Sequence, residues 1–372
     1  MVSVSRIYYL PRPSRFTAYI QSRFRSPDIE LNTVNEILAH YGVTLTATPR
    51  NLPNTRRNRN LIINTSAGKK ILKLYRKDWR TSTIVFEHSV LTRLAQLSFP
   101  APRLVSTTDG ATYVNKSKNN YALFDFADGT NYSTSFLLRA HRLRLMAIAG
   151  RTMASLHRQL KGFLPEGQHH LGFKSYVDGR HRDMNWYREK VDELESKSLT
   201  LTDPQEIAIA KELIQQRIYV LDELSKLDQE LSSAPLPRTI IHGDYGLHNI
   251  LIQDSAKATP VDFELTRLEW RLSDLVSCLS RIRFATGEYD FESLQWFMDG
   301  YQSEFPFSDE EWDLFPQVWR HYKLKGAIGY WVSYFETGGP TRKLNSARDA
   351  IAQAKWALKH PDQLLSLRTK KT

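Results

Sequence analysis

The segment between residues 239 and 264 constrains this chain more than any other. Three short apolar stretches, 239–241, 250–252 and 259–263, alternate with polar loops inside a region otherwise patterned for helix. The first loop carries His242, Gly243, Asp244 and, five residues further on, Asn249; the third stretch runs into Asp262. Two carboxylates and a side-chain amide at neighbouring strand ends suit phosphoryl transfer. One carboxylate, Asp244, orients a hydroxyl nucleophile and accepts its proton, while Asn249 and Asp262 offer hard oxygen ligands to a divalent ion holding nucleotide phosphates in line. Singly, each is an ordinary turn former. Order, spacing and strand context together point to the chemistry. His242, directly before the loop, reads as a brace for the backbone.

Around this island the hydrophobic period divides the chain. A helix is expected from residue 27, capped by Asp28, with Ile29, Val34, Ile37 and Leu38 as its apolar stripe and Tyr41-Gly42 as its stop. Strands are expected at 44–48, 60–64 and 70–75, then a helix at 81–96. The run 111–126 splits at Lys116-Ser117-Lys118-Asn119 into two further strands. The result is a five-stranded sheet crossed by one long helix. After Asp128-Gly129 the pattern turns helical at 137–160, 187–194 and 204–231, and again from 271 to 359. At 372 residues the chain suits two domains or one large two-lobed domain. The reading is an α+β chain with a basic extension at 1–27, a small β-rich lobe at 28–126 and a larger, mainly helical lobe at 127–372.

The formal charge of +11 is unevenly placed. Residues 1–80 hold 15 Lys and Arg against 4 acids, and the 36 bases and 36 acids beyond them cancel. A phosphate-binding first lobe fits this count as well as a nucleic-acid surface does, and the chain lacks interleaved aromatic and basic motifs, so no nucleic-acid partner is expected. Residues 1–27 carry five Arg and five Ser with no acid, a transit-peptide composition, but Pro11 and Pro13 interrupt any early amphipathic helix. A basic extension packed on the small lobe is expected. Cys278 is the single cysteine, which excludes an intramolecular disulfide and a cysteine-built zinc site. No apolar run reaches the roughly 18 to 20 residues that span a bilayer. A soluble, cytoplasmic protein without a membrane partner is expected, as a monomer or homodimer.

These motifs resemble the aminoglycoside phosphotransferase and choline kinase family, whose catalytic loop reads His-Gly-Asp-x4-Asn where protein kinases read His-Arg-Asp with the same Asp-to-Asn spacing. The resemblance covers about residues 40 to 280. It implies a protein-kinase-like two-lobed fold and a kinase that uses ATP or GTP with Mg2+ to phosphorylate a small-molecule hydroxyl. Residues 58–76 resemble the nucleotide loop and lysine strand, with Lys73 on the phosphates; in 84–94, Glu87 stands at the position of its ion-pair partner. Lys73 also has a physical case, since a lysine within the apolar strand Ile71, Leu72, Leu74 must snorkel or pair. Residues 121–129 resemble the adenine hinge, which implicates Asp125 and Ala127. Residues 150–157 resemble a buried helix ending in His157, and 270–275 place Asp274 as a structural acid. No Gly-rich loop precedes the lysine strand; Asn54, Arg56, Arg57 and Asn58 stand there, and Arg56 and Arg57 are assigned to the phosphates.

For the acceptor, Glu264 is assigned to the substrate or a second metal. Trp331, Tyr334 and Phe335 fall at helical spacing in 321–336, either as an aromatic wall for a cationic amine or as core. Candidate acceptors are an aminoglycoside or other antibiotic, a choline-like amino alcohol, or a homoserine-like metabolite. No Asp-Phe-Gly with an activation segment and Ala-Pro-Glu is present, which argues against a protein kinase. The alternatives are a non-catalytic kinase-fold scaffold, against which the intact Asp244, Asn249 and Asp262 argue, and an RNA-associated protein using the basic front end.

Overall fold

A computed structural model gives the structure of the chain and describes residues 29–52, 58–77, 79–132, 137–169, 176–177, 180–253, 257–336 and 338–368. The basic extension expected at 1–27 lies outside them, as do Asp28, Arg56 and Arg57. Helix α1 (Leu31–His40) buries Val34, Ile37 and Leu38, the apolar stripe, and ends at Tyr41 and Gly42. It begins later than the sequence suggests, with Glu30 in the cap position and no side-chain cap hydrogen bond.

A five-stranded antiparallel sheet follows: β1 (Arg50–Asn51), β2 (Arg59–Thr65), β3 (Gly68–Leu74), β4 (Val114–Lys116) and β5 (Asn119–Asp125), in the order β1-β2-β3-β5-β4. The strand expected at 44–48 is not formed. Leu45 makes only an isolated bridge to Thr65, and pairing resumes at β1 past Pro49, which has no N–H to donate. Helix α2 (Thr81–Gln96) covers one face of the sheet. The two-residue period of a strand assigns the side chains to faces. In β5, Tyr121 and Leu123 join the cluster around α1, while Ala122 and Phe124 join the cluster around α2. In β3, Leu72 and Leu74 face α1, which turns Lys73 toward α2.

The remainder is mainly helical. Helix α3 (Arg139–Gln159) is followed by the two-residue strands β6 (Tyr176–Val177) and β7 (Arg180–His181) and then α4 (Met184–Ser198). Asp183 caps α4 by accepting from Trp186 N at 2.9 Å. Helix α5 (Pro204–Ser232) has Pro204 in its first turn and Asp203 as its cap. The β-rich island forms β8 (Arg238–Ile241), β9 (Ile250–Gln253), β10 (Lys257–Pro260) and β11 (Arg267–Trp270), paired antiparallel as β9 with β10 and β8 with β11. Helices α6 (Arg271–Leu279), α7 (Phe291–Glu304), α8 (Asp309–Asp313), α9 (Phe315–Glu336), α10 (Arg342–Lys359) and α11 (Pro361–Leu365) complete the lobe. This is the α+β, two-lobed arrangement expected. Strand β11 was not, and the stretch expected as strand at 259–263 ends instead at Pro260. No helix among the described residues is long and apolar enough to cross a membrane.

Two contacts fix the helical lobe beneath the site. Arg271 donates to Glu311 at 2.6 and 2.5 Å and to the carbonyls of Phe305 and Pro306, a buried fork that ties α6 to α8. Helices α3 and α7 cross at a pair of glycines: a Cβ on Gly150 would collide with the Phe297 carbonyl, and one on Gly300 with the Ala147 carbonyl. The backbones touch because neither side has a side chain. Gly150→Val is therefore expected to lower stability by about 3 kcal/mol, read as a fall in the urea midpoint at unchanged slope; an unchanged midpoint would show that the crossing relaxes freely.

Candidate active site

Strand β8 leads into a polar loop, residues 242–249, held by one buried carboxylate. Asp274 of α6 accepts from His242 N at 2.8 Å, Gly243 N at 2.9 Å and His157 Nε2 at 3.1 Å. The other ring nitrogen of His157 meets the Tyr301 hydroxyl of α7 at 2.9 Å. Burial opposes the charge on Asp274, but the hydrogen bond from His157 and the nearby imidazoles outweigh it and hold the carboxyl below its ordinary range. Gly243 sits at φ 82 against β11's approach, where a Cβ would strike the Leu265 carbonyl. His242 is a brace: its Nε2 donates to the Val261 carbonyl at 3.0 Å, and its Nδ1 accepts from Asp244 N at 3.3 Å.

Asp244 faces the cleft with 29% of its side chain exposed. Asn249 Nδ2 donates to its carbonyl at 3.0 Å and to Oδ2 at 3.3 Å, Arg281 Nη2 donates to Oδ1 at 2.7 Å, and His248 Nε2 stands 3.5 Å from Oδ2. Burial works against ionisation, yet His248 and Arg281 hold the Asp244 carboxyl far below the usual carboxylate range. Asp262 follows β10 in the left-handed region, φ 67 and ψ 63, and opens a short 3-10 turn, Phe263–Leu265. That backbone costs a non-glycine residue about 1 to 2 kcal/mol. Its neighbour Val261 donates its N–H to the Asn249 carbonyl at 2.9 Å, so Asn249 and Asp262 belong to one hydrogen-bonded corner.

Across the cleft, Lys73 and Glu87 form a buried ion pair at 3.0 Å. Burial alone would push the Lys73 ammonium down; Glu87, Glu264 and Asp262 outweigh it and raise the lysine above its usual value. The pair continues into an oriented chain. Tyr75 Oη donates to Glu87 at 3.1 Å and meets His88 Nε2 at 2.9 Å, and His88 Nδ1 meets Thr112 Oγ1 at 2.8 Å. With the His88 proton on Nε2, every member has its partner. Burial pushes His88 down to about 4, so the ring is neutral.

The remaining expectations divide. Asp125, at the end of β5, is tied to Lys70 at 2.7 Å; Ala127 follows, half-buried, and nothing among the described residues hydrogen-bonds its backbone. Glu264 lies on the Lys73 side of the cleft. The turn after Asp262 carries it to the small lobe, where Asn58 Nδ2 donates to its carboxylate, and Asn58 in turn accepts from Arg76 N at 3.0 Å. Trp331 is core: 4% exposed, it packs with Leu213, Val220 and Ile351 and donates to Ser198 at 3.3 Å. Tyr334 packs against Phe335 with ring centroids 4.9 Å apart and lies beside Glu206 of α5, not Asp244. Sequence reasoning missed Arg281, His248 and Asn131. Asn131 Nδ2 points at three carbonyls of the loop, Leu247, His248 and Ile250, at 3.1, 2.8 and 3.3 Å. Its only local signal is its place just past residues 121–129, the stretch that resembles the adenine hinge. Arg281, seven residues after Asp274, is two turns further along the same helix direction.

A carboxylate at a cleft, an amide and a second carboxylate on one corner, and a buried lysine pair opposite define a kinase-like site. The chain belongs to the phosphotransferase enzyme family, small-molecule kinases whose sequence profile matches residues 48–305. It is 23% identical to a homoserine kinase of Agrobacterium fabrum over 299 residues, 80% of this chain and 84% of that protein. Among solved structures, a microcompartment-associated aminopropanol kinase superposes with a TM-score of 0.63 at 20% identity, over 91% of this chain and all (100%) of that one. A spectinomycin phosphotransferase gives 0.61 at 13% identity, over 90% and 100%.

The His88 chain makes a prediction with a definite sign. A folded-state value near 4, against 6.5 for a free imidazole, means the unfolded chain binds more protons between those two pH values, so stability rises with pH across that window. The His88 contribution to acid destabilisation approaches about 3 kcal/mol near pH 4. Denaturant titrations at pH 7 and pH 4.5 are expected to show a smaller difference in His88→Phe than in the parent; an equal difference would move the acid sensitivity to other groups.

Proposed function

We propose that the chain transfers the γ-phosphoryl group of ATP, or of GTP, to the hydroxyl of a small molecule, with Asp244 as the base. The hydroxyl oxygen attacks the γ-phosphorus, the bond from that phosphorus to the bridging oxygen of the diphosphate breaks, ADP or GDP leaves, and the hydroxyl proton passes to Asp244. The low proton affinity of Asp244 suits a group that first accepts a hydrogen bond from the hydroxyl and takes the proton late, as the nucleophile loses electron density. Lys73, kept charged by Glu87, is assigned to the nucleotide phosphates, and the backbone of Ala127 and neighbouring Asp125 to the base. Arg56 and Arg57 remain the proposed basic loop residues.

The donor set supports a divalent ion. Asn249 spends its N–H2 on Asp244, which leaves its Oδ1 without a protein donor among the described residues, and Asp262 lies on the same corner. The described residues hold no cluster of three His, Cys, Asp or Glu. Two oxygen ligands with phosphates and water completing the shell is the way Mg2+ is usually held at a nucleotide site. Asn249 and Asp262 would hold the ion, which when bound neutralises charge on the phosphates.

The observation that carries this reading is the convergence of Asp244, Asn249 and Asp262 opposite the Lys73–Glu87 pair. The test is ADP release over a panel of hydroxylated amines, amino acids, sugars and antibiotics. Asp244→Ala is expected to cut kcat at least about 100-fold while the ATP affinity stays within about threefold; equal turnover in both proteins would falsify the assignment. Asp262→Ala is expected to remove the rise in melting temperature that Mg-ATP gives the parent. A shift that survives the substitution puts the metal elsewhere.

A further inference from the structure

The end of the cleft away from Lys73 is cationic. Arg281, two residues beyond α6, spends one N–H on Asp244 and places Nη1 3.4 Å from His248 Nε2, so most of its five N–H donors are unused. Its side chain is 41% exposed, open to solvent while touching the proposed base. Beside it, Lys323 of α9 is only 7% exposed, and its ammonium makes one side-chain hydrogen bond, to Ser280 Oγ at 3.2 Å. Arg283 donates to Asp349 at 2.9 and 2.7 Å and completes the group. Tyr322 and Tyr330 of α9 lie within electrostatic range of the Arg281 guanidinium. Burial lowers Lys323 to about 7, and Arg281 and Arg283 add to that while Asp349 opposes it. Three basic side chains thus share two carboxylates, and a hydroxyl placed on Asp244 has its molecule lying against the cationic side.

We propose that Arg281 is a specificity residue that binds a carboxylate on the acceptor, so that the substrate is a hydroxy acid or hydroxy amino acid and not a cationic aminoglycoside or choline-like amine. This rests on the phosphotransferase reading of the site. A guanidinium presents paired N–H donors that match a carboxylate in two parallel hydrogen bonds, and Arg281 has donors left for that fork while one N–H still holds Asp244. Lys323, buried beside Arg281 with one side-chain hydrogen bond to Ser280 Oγ, is a further basic neighbour whose charged form an anion at this place would favour. A polycation at the same place would set like charges side by side against Arg281, in a site with Asp349 already engaged by Arg283.

The test uses full-length protein and matched acceptors that differ only in the carboxylate: homoserine with 3-amino-1-propanol, serine with ethanolamine, threonine with 1-amino-2-propanol. ADP release is expected to favour a carboxylate member at least tenfold in kcat/KM. Because Arg281 also donates to Asp244, Arg281→Gln is expected to change kcat for both members alike; the discriminating readout is KM, expected to rise at least tenfold for the carboxylate member and less than threefold for its decarboxylated partner, with Arg281→Lys between. A parent that prefers the decarboxylated member overturns the proposal. So does an Arg281→Gln variant whose only effect is a fall in kcat shared by both members of a pair, with neither KM changed, which leaves Arg281 as a positioning residue for Asp244. If no pair gives turnover, calorimetric titration of homoserine onto the protein with Mg2+ and a non-hydrolysable ATP analogue decides, and absence of Arg281-dependent binding overturns it. The Mg-ATP melting shift reads the underlying kinase assignment separately: its presence without carboxylate preference removes this inference alone, and its absence removes the reading beneath it.

Discussion

The site depends on a fully buried carboxylate. Asp274 carries a negative charge at zero exposure, and it is tolerable there because two loop amides and one imidazole all donate to it. The same bonds that stabilise the charge determine where the loop goes. His242 N and Gly243 N must point down into α6, and this turns the next residue, Asp244, outward to the cleft. Gly243 is needed because that turn passes through positive φ against the Leu265 carbonyl. The anchor itself is held from below: His157 of α3 is oriented by Tyr301 of α7, and Tyr301 reaches it because Gly150 and Gly300 let the two helices touch. A backbone crossing in the helical lobe thereby sets the position of a side chain at its surface.

Legibility in the sequence followed the distance between partners. Asp244, Asn249 and Asp262 fall within one short stretch whose strand-loop-strand pattern is local; the apolar neighbours of Lys73 showed that it must snorkel or pair, and the family resemblance named Glu87 as the partner. Contacts that join distant segments left no such trace. Asn58 and Glu264 are 206 residues apart, and nothing in the turn after Asp262 announces that Glu264 swings to the small lobe. Asn131 grips a loop well over a hundred residues downstream. On α9 the sequence left two readings open, an aromatic wall or core, and Trp331 takes the second. The helix is apolar on several sides, with Leu324, Ala327, Ile328 and Trp331 all buried, so its period does not single out a cleft side. Trp331 goes to the core and its neighbour Tyr330 toward Arg281, a rotation of about 100° per residue.

The two ends of the cleft handle charge in different ways. At the end proposed for the nucleotide, Lys73 is enclosed and paired, and the Glu87–Tyr75–His88–Thr112 chain leaves each donor one acceptor. Such a closed network resists rearrangement, because moving one member strands a buried polar group. At the acceptor end the pairing is open. Asp244 and Arg281 are both partly exposed, so water can replace a partner that either side chain gives up. In the proposed reaction, a group receiving a hydroxyl needs that looseness, while one holding phosphates in line gains from rigidity.

Asp262 shows how the rigid end is maintained. A left-handed aspartate is strained, and the surrounding contacts outweigh the strain: the Phe263 ring lies 4.7 Å from the His242 ring centroid, and the Thr266 hydroxyl donates to the Ile241 carbonyl at 2.7 Å. Those contacts bind the turn after β10 to the brace before the loop, so His242 and Asp262 belong to one connected set of contacts. The Val261 N–H on the Asn249 carbonyl closes the ring of bonds from the other side. With the backbone of both proposed metal ligands fixed in this way, and the Asn249 amide held on Asp244, less conformational freedom is left to lose on binding, which lowers the entropic cost of assembling a two-ligand ion site that protein oxygens alone do not complete.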